Sequence, residues 1–287
     1  MKKRKAKHKN KNKMGFKVCI LLGIMILFSV FLFKNNEDYT TVDLENVEAL
    51  KISSSMVKNI KNLATKYEID FSELFTYYAF ENNFFENKID IDDKIEQNIL
   101  LNYDNIKSKY KQEYIEKYFT LIDNIYKDIK CFPIDEKYKQ EYIFGDSFGS
   151  ERNYGGERTH KGCDIMDKEN IKGRIPIISM TDGKISNIDW NEQGGYNIGV
   201  TSNNGNYYYY AHFHTFNEKL KKGDEIKAME VLGYMGNSGY GKEGTIDKFP
   251  VHLHIGICPK TDLSTDDIWI NPYPFLSLVE NDEKQDK

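Results

Sequence analysis

The chain has 287 residues, of which 40% are hydrophobic and 29% are charged, so it is long enough for two modest domains and can bury a core. The formal net charge of −4 is unevenly distributed, because residues 1–34 hold ten of the 40 Lys and Arg residues and no acid. The rest of the chain therefore has 30 basic and 44 acidic residues, a net charge of −14, which excludes a broadly basic nucleic-acid-binding surface.

The amino-terminal segment predicts a membrane anchor. A basic run over residues 1–13 precedes residues 14–34, whose central part, 18–33, has no charge and approaches the ~17–25 residues that cross a bilayer. Basic residues before this segment and acidic residues after it orient the amino terminus inward, so the body is expected outside the cytoplasm. A cleavable signal peptide is the alternative, but the apolar run offers no small-x-small cleavage site. We therefore predict a cytoplasmic tail (1–13), a transmembrane helix (14–34) and a polar linker (35–47).

Residues 48–132 are predicted to form a small α-helical module. Its first helix is indicated by apolar residues that recur at intervals of three and four: Met56, Ile60, Leu63 and Tyr67. A capping-box pattern at 70–73 predicts a second helix, and spaced apolar residues over 115–129 predict a further one. The aromatic stripes of this module serve either core packing or the docking of a protein partner.

From residue 133 the apolar pattern changes to short strand-like runs. Turn signals separate these runs, namely the Asp-Gly, Gly-Gly and Asn-Gly pairs at 182–183, 194–195 and 204–205. Short strands at such intervals favour an antiparallel all-β unit over alternating helices and parallel strands. The predicted fold class is therefore α+β and multi-domain, with the transmembrane helix and helical module followed by an all-β domain (133–278) and a flexible tail (279–287).

Five of the six histidines lie in or beside three short segments. These segments contain His160 and Asp164, then His212 and His214, then His252 and His254. Imidazole nitrogens and carboxylate oxygens are common ligands of a catalytic zinc ion, which keeps one position open for water. Because successive side chains of an extended segment point to opposite faces, His252 and His254 share a face and can point at one site.

These segments resemble those of the M23 zinc metallopeptidases, the lysostaphin-like cell-wall endopeptidases. The family pattern is a His-x-x-x-Asp segment, a Tyr-Ala-His segment and a terminal His-x-His segment, and all three occur here in that order. The resemblance covers residues 142–276 and includes the glycine-rich run 233–239. It implies an antiparallel β-sheet with a substrate groove.

The resemblance also implies the roles of individual residues. His160, Asp164 and His254 would hold the zinc ion. His252 would be the general base or acid beside the water that the metal activates, and His212 would polarise that water or stabilise the developing oxyanion.

Further residues are candidates for contact with the substrate or for the edge of the groove. Tyr196 and Asn197 are candidates for binding the backbone of a peptide substrate, although strand packing explains Tyr196 equally well. His214 matches no position of the family pattern and is interpreted as a rim residue. The segment 240–250 is longer than the corresponding link in the family, so we expect it to border the groove and to influence specificity.

The cysteines do not indicate a metal site. Cys131, Cys163 and Cys258 follow the apolar segment, and their spacing contains no Cys-x-x-Cys pattern, which disfavours a thiolate zinc site. Three is an odd number, and the sequence does not define whether any two are bridged.

The sequence therefore favours a membrane-anchored bacterial zinc endopeptidase that hydrolyses peptide cross-links or stem peptides of peptidoglycan. Its catalytic domain would lie outside the cytoplasm, attached through a single pass in the cell membrane. The alternative is a non-enzymatic zinc-binding scaffold of a cell-envelope or sporulation channel complex, for which the helical module would be the partner surface. A third interpretation, an amidase activator, applies to relatives that have lost metal ligands and is disfavoured by the complete set here.

Overall fold

The structure is a computed structural model and describes residues 43–85 and 112–282. The predicted basic tail (1–13), transmembrane segment (14–34) and most of the predicted linker lie outside the described residues. The described α-helices are α1 (Leu44–Ala49), α2 (Ser54–Lys66), α3 (Phe71–Glu81), α4 (Gln112–Asp128) and α5 (Tyr273–Asp282). Single 3₁₀ turns occupy Asn83–Phe85 and Glu136–Tyr138.

Local capping explains where the helices begin. The Ser53 hydroxyl accepts a hydrogen bond from the Met56 amide (3.2 Å), and the Asp70 carboxylate accepts one from the Glu73 amide (3.0 Å), which satisfies donors that a helix leaves unpaired at its first turn. Asp70 is therefore the N-cap of α3, as the predicted capping-box pattern requires of its first residue. Tyr67, predicted to lie on the apolar stripe of α2, instead follows the helix as its C-cap and is 37% exposed.

Most strands belong to one antiparallel sheet of seven. Its order is β1 (Tyr142–Phe144), β4 (Cys163–Asp167), β12 (His252–Cys258), β8 (Tyr207–Ala211), β7 (Gly195–Ser202), β6 (Gly183–Asn191) and β10 (Glu225–Ile226). A second sheet has the order β5 (Pro176–Ile178), β11 (Val231–Met235) and β9 (Phe213–Phe216). Strands β2 (Glu151–Arg152) and β3 (Arg158–Thr159) form a separate hairpin.

The helices share a hydrophobic core with the sheets. Phe75 of α3 lies with its ring centroid 6.5 Å from that of Phe275 in α5, and the ring of Phe132 stacks on Tyr142 of β1 at 5.0 Å. At the amino-terminal end, the amide of Asn271 donates to the carbonyl of Glu48 at 2.7 Å. The described residues, 43–85 and 112–282, accordingly belong to one compact unit.

The fold class predicted from the sequence is corrected by these findings. The structure is an antiparallel β domain with a few helices in the same compact unit, and none of the helices within 43–85 and 112–282 is long and apolar enough to cross a membrane. The longest, α4, has 17 residues, and its charged side chains alternate with apolar ones that face the core. The boundaries predicted for the helical module and the β domain stay predictions.

The structure has no disulfide between any of the three cysteines of the described residues. Cys131 and Cys163 are buried and Cys258 is half-buried.

Candidate active site

The central strand β12 organises the site. His254 is paired with Asp164 on β4 and with Ala211 on β8, the strand that His212 follows. Since alternate residues of a strand share a face, His252 points to the same side as His254. The sheet therefore gathers groups from three neighbouring strands, far apart in sequence, onto one face.

Three candidate ligand atoms converge there. The Nε2 atom of His160 lies 2.8 Å from Nδ1 of His254 and 3.0 Å from Oδ1 of Asp164, and the last two atoms are 3.1 Å apart. A tetrahedral zinc ion with ligands at ~2.0–2.2 Å would hold such atoms about 3.3–3.6 Å apart. The two nitrogens and one oxygen thus fit a small divalent cation with only a slight expansion.

The hydrogen bonds of His160 orient it for metal binding. Its Nδ1 lies 2.8 Å from the carbonyl oxygen of Ser147, and because a carbonyl only accepts, Nδ1 carries the hydrogen. The lone pair of neutral His160 is then on Nε2, the atom that points at His254 and Asp164. A backbone carbonyl behind a ligand histidine is a common way of fixing both ring orientation and tautomer.

Asp164 is held as a carboxylate. Burial raises its pKa, but the imidazoles of His160, His254 and His252 close to the carboxylate outweigh this effect, so the pKa lies well below its usual range. Its second oxygen, Oδ2, accepts a hydrogen bond from Nη2 of Arg152 at 2.6 Å, and its amide donates to the Ser147 hydroxyl at 3.0 Å. One carboxylate oxygen is therefore committed to the protein and the other faces the histidines.

His212 and His252 form a pair of neutral bases beside these ligands, with ring centroids 4.6 Å apart. Nδ1 of His212 donates to the Ser238 carbonyl and Nδ1 of His252 to the Pro250 carbonyl, both at 2.8 Å, which leaves Nε2 of each ring unprotonated. Burial lowers the pKa of both imidazoles, that of His212 strongly, so the neutral form is favoured near pH 7.

The backbone of His212 explains how its ring leaves the sheet. Its φ of +68° lies in the left-handed region, which ends β8 before β9 begins. Non-glycine residues adopt this conformation at a cost and often at functional positions. The turn directs the imidazole between His252 and Phe249, whose ring centroid is 4.6 Å away.

These side chains form one end of a groove with a cavity volume of about 320 Å³. Aromatic rings supply much of its wall, since Tyr240 stacks on Tyr154 at 4.3 Å, while Tyr209 lies edge-on to Trp269 at 6.2 Å. Tyr240 begins the segment 240–250, so the expectation that this segment borders the groove agrees with the structure. A concave aromatic surface next to convergent polar groups suits a peptide in extended form.

The five residues implied as ligands or catalytic groups, His160, Asp164, His212, His252 and His254, all line this groove. Tyr196 and Asn197 do not contribute to the described lining. Asn197 is 2% exposed, and its amide donates to the Asp189 and Gly195 carbonyls, whereas the ring of Tyr196 packs edge-on against Trp190. A substrate-binding role for them stays a prediction. His214 is exposed and lies against Gly173, outside the lining.

The sequence did not identify Ser147 and Arg152, which hydrogen-bond the candidate ligands, or Arg158, which lines the groove. The available signal was the pair Gly155 and Gly156, a turn marker whose φ values here are +77° and +109°. A hairpin turn there places Arg152 opposite Arg158, as the observed register does. Ser147 carries no comparable signal, because its loop contacts His160 only through tertiary folding.

Comparisons with known proteins identify related chains. The family model described as Peptidase family M23 matches residues 158–266. An L-Ala--D-Glu endopeptidase of Bacillus subtilis (strain 168) is 36% identical over 152 residues, covering 52% of this chain and 44% of the relative. The glycyl-glycine endopeptidase ALE-1 of Staphylococcus capitis is 33% identical over 119 residues, covering 41% of this chain and 29% of the relative. The matches thus span less than half the length of these curated relatives.

A solved structure extends the similarity. It is a 1.60 Å crystal structure from Ruminococcus gnavus ATCC 29149, provisionally assigned as the glycyl-glycine endopeptidase lytM. The two chains are 37% identical and superpose with a TM-score of 0.65, over 84% of this chain and 92% of that one.

Proposed function

The chain belongs to peptidase family M23, and we propose that it is a zinc-dependent endopeptidase that hydrolyses peptides of bacterial peptidoglycan. One observation carries the proposal: the convergence of His160 Nε2, Asp164 Oδ1 and His254 Nδ1 within 3.1 Å of one another beside two further unprotonated imidazoles. This donor set suits zinc, which accepts nitrogen and carboxylate ligands in tetrahedral geometry.

A zinc ion bound to these three residues would supply Lewis-acid polarisation of the scissile carbonyl and a more acidic water. The protein's own residues handle the proton. Nε2 of His252 is unprotonated and faces the groove, so it can accept a proton from the attacking water and return it to the leaving amine. Nε2 of His212 lies on the same wall, where it can hold a second hydrogen bond to the reacting oxygen.

The substrate class is supported by the relatives and by the groove. One relative is named for an L-Ala--D-Glu bond and another for a glycyl-glycine bond. Peptides with D-amino acids or oligoglycine belong to bacterial cell walls, and a shallow aromatic groove accepts an extended chain. Because such a substrate lies outside the cytoplasm, we place the peptidase domain there too.

The test is hydrolysis of purified peptidoglycan by the full chain, with bound zinc measured in parallel. We expect about one zinc ion per chain and the release of new amino termini. His160→Ala should lose both zinc and hydrolysis. His252→Ala should keep the zinc and lower kcat/KM by about 10²–10⁴, the usual contribution of a general base. His214→Ala is the matched control, because this exposed histidine lies outside the groove lining, and it should behave like the wild type.

Zinc binding without hydrolysis of any wall preparation would contradict the enzyme and favour the scaffold. Loss of zinc in His252→Ala but not in His160→Ala would contradict the division between ligands and proton-transfer groups.

A further inference from the structure

Two arginines face each other across the β2–β3 hairpin. Arg152 and Arg158 are directly opposite in the register, and both line the groove that contains the histidines. Like charges at directly opposite positions of an antiparallel pair destabilise it. The hairpin therefore presents two guanidinium groups to the groove, where an anionic ligand can offset any charge that the protein leaves unbalanced.

Only one of the two charges is balanced within the protein. Arg152 forms an ion pair with Asp164, with 2.6 Å between Nη2 and Oδ2. Arg158 hydrogen-bonds uncharged oxygens instead: its Nε donates to the Tyr154 carbonyl at 3.3 Å and its Nη2 to the Tyr240 hydroxyl at 3.4 Å. Among residues 43–85 and 112–282 it forms no ion pair. A guanidinium has five N–H donors, so three remain for a ligand.

The groove is electropositive within an acidic protein. Residues 35–287 carry a net charge of −14, yet Asp164 is the one acidic side chain among the described residues that line the groove. A single positive site in a concave wall attracts anionic ligands more strongly than the same charge on an open surface.

Arg158 is close to the reacting groups. It lies two residues before the candidate ligand His160, and its hydrogen-bond partner Tyr240 has its ring centroid 6.4 Å from that of His212. A group held by Arg158 is therefore separated from the candidate catalytic histidine by one aromatic ring. Arg158 and the candidate catalytic histidines therefore line the same groove, within reach of one bound peptide.

We propose that Arg158, assisted by Arg152, binds a free carboxylate of the peptide substrate, so that the enzyme selects acidic peptides over neutral ones. The planar guanidinium matches a carboxylate in a bidentate hydrogen-bonded pair, which an amide cannot reproduce. This inference rests on the proposed peptidase function and specifies its substrate: a wall peptide with a carboxylate beside the scissile bond, rather than an oligoglycine bridge or an amidated stem.

The experiment compares two stem-type peptides that are identical except for one group. In one, the α-carboxyl of the D-glutamyl residue is free, and in the other it is amidated. We expect the wild type to cleave the free acid with a kcat/KM about 10- to 100-fold higher, the range of a hydrogen bond to a charged group, mainly through a lower KM. Added salt should reduce this preference, because the ion pair is solvent-accessible.

Arg158→Gln should abolish the preference by weakening cleavage of the acid while leaving the amide within about threefold. Arg158→Lys should retain part of the preference, because it keeps the charge without the bidentate geometry. The control is Lys184→Gln, which changes the net charge equally on an exposed side chain of β6 outside the groove. It should leave the preference unchanged.

Binding of the same two peptides to zinc-loaded His252→Ala, measured by calorimetry, separates this inference from the peptidase proposal. Tighter binding of the acid, lost in the His252→Ala/Arg158→Gln double variant, supports the carboxylate site even if no peptide is hydrolysed. Equal cleavage and equal binding of the two peptides, with Arg158 present, would overturn the proposed carboxylate site. An equal loss of cleavage of both peptides in Arg158→Gln would also overturn it and would assign Arg158 a structural role.

Discussion

Gly162 shows how closely the candidate metal ligands depend on the backbone around them. It lies between His160 and Asp164, immediately before β4 and against the His254 ring. A Cβ atom added at Gly162 would lie 2.4 Å from the Ile255 carbonyl oxygen and 2.5 Å from Cε1 of His254. Real Cβ atoms do not approach backbone oxygens so closely, so a side chain here would displace β12 and its histidines.

Gly162→Ala is therefore expected to weaken zinc binding about 10- to 100-fold and to destabilise the fold by about 1–3 kcal/mol. Zinc affinity measured by competition with a chelator, together with urea unfolding, checks both effects. Gly145→Ala is the matched control, since a Cβ there meets no atom within 4 Å. If Gly162→Ala bound zinc like the control, the rigid contact between Gly162 and His254 would be refuted.

The thiol of Cys258 offers a prediction about pH. Partial burial is the main cause that raises its pKa to about 11, with a smaller contribution from Asp267. At pH 8 the thiolate fraction is then about a hundredfold below that of an ordinary cysteine, so alkylation should be correspondingly slow. The rate should rise tenfold per pH unit up to about pH 10. The alkylation rate of Cys258 is measured by mass spectrometry at each pH, with glutathione as the reference thiol. A Cys258 rate that levels off near pH 9 would contradict the raised pKa.

At the residue scale, the histidines and Asp164 were predictable because their spacing is a property of short segments. The structure brings all five of these side chains to one groove. The groups that pair with these side chains, through an ion pair or a hydrogen bond, were harder to predict. The pairing of Arg152 with Asp164 depends on the hairpin packing over β4, and the carbonyl acceptors of His160, His212 and His252 belong to backbone that no side-chain pattern identifies.

Helix α4 is joined to the main sheet by a buried carboxylate. Asp128, at the end of α4, is 4% exposed and accepts hydrogen bonds from side chains around the β7–β8 turn. The donors are the Ser202 hydroxyl (2.5 Å), the Asn206 amide (2.7 Å) and the Asn204 amide (2.9 Å). A carboxylate only accepts, which suits a site where every neighbour donates.

Asp128→Asn should destabilise the protein by about 2–3 kcal/mol, because its amide group would face donors and leave them unpaired in a buried site. The measurement is the free energy of unfolding in urea. Asp262→Asn serves as control: its carboxylate, 73% exposed, pairs with Lys117 at 3.2 Å, and solvent screening makes such a pair nearly neutral for stability. Equal stability of the two variants would show that Asp128 does not secure α4 to the sheet.

At the element scale, the Gly-Gly and Asn-Gly pairs indicate the turns between β6 and β7 and between β7 and β8, where the structure has hairpins. Pro272 and Pro274 give no comparable signal for a helix. The structure has helix α5 over Tyr273–Asp282, which includes the first residues of the predicted tail, with Leu276 and Leu278 buried. Proline is well tolerated in the first turn of a helix, and the Asn271 side chain accepts from the Tyr273 amide at 3.0 Å. The same residues thus fit a helix start.

At the scale of the whole molecule, the periodicity change near residue 133 predicted two kinds of structure but not their packing. The structure has direct links between them: Glu48 of α1 accepts hydrogen bonds from Lys161 at 2.5 Å and from the Trp269 amide at 3.3 Å. Lys161 neighbours a candidate ligand and Trp269 lines the groove. Such contacts between distant segments leave no local pattern, which is why the sequence could not reveal them.

Because the helices and sheets share a core, we expect them to unfold together. Both tryptophans, Trp190 and Trp269, lie in the β region, so fluorescence reports on the sheets while far-UV circular dichroism at the helical minimum reports mainly on α1–α5. The two signals should give the same urea midpoint, as a two-state transition requires. Asp128→Asn should shift both midpoints by the same amount. A separate, earlier helical transition would contradict a common core.

The seven-stranded sheet ends in very short strands, β1 with three residues and β10 with two. An unpaired strand edge is a template on which a second chain can add its own backbone, and its hazard grows with its length. Strands β12, β8 and β7 have neighbours on both sides. Strand β10 pairs only with Gly183 and Lys184 of β6, so the rest of the outer edge of β6 has no partner strand among the described residues. The strands that carry the site are therefore shielded from the addition of a second chain, and the outer edge of β6 is where such a chain could pair.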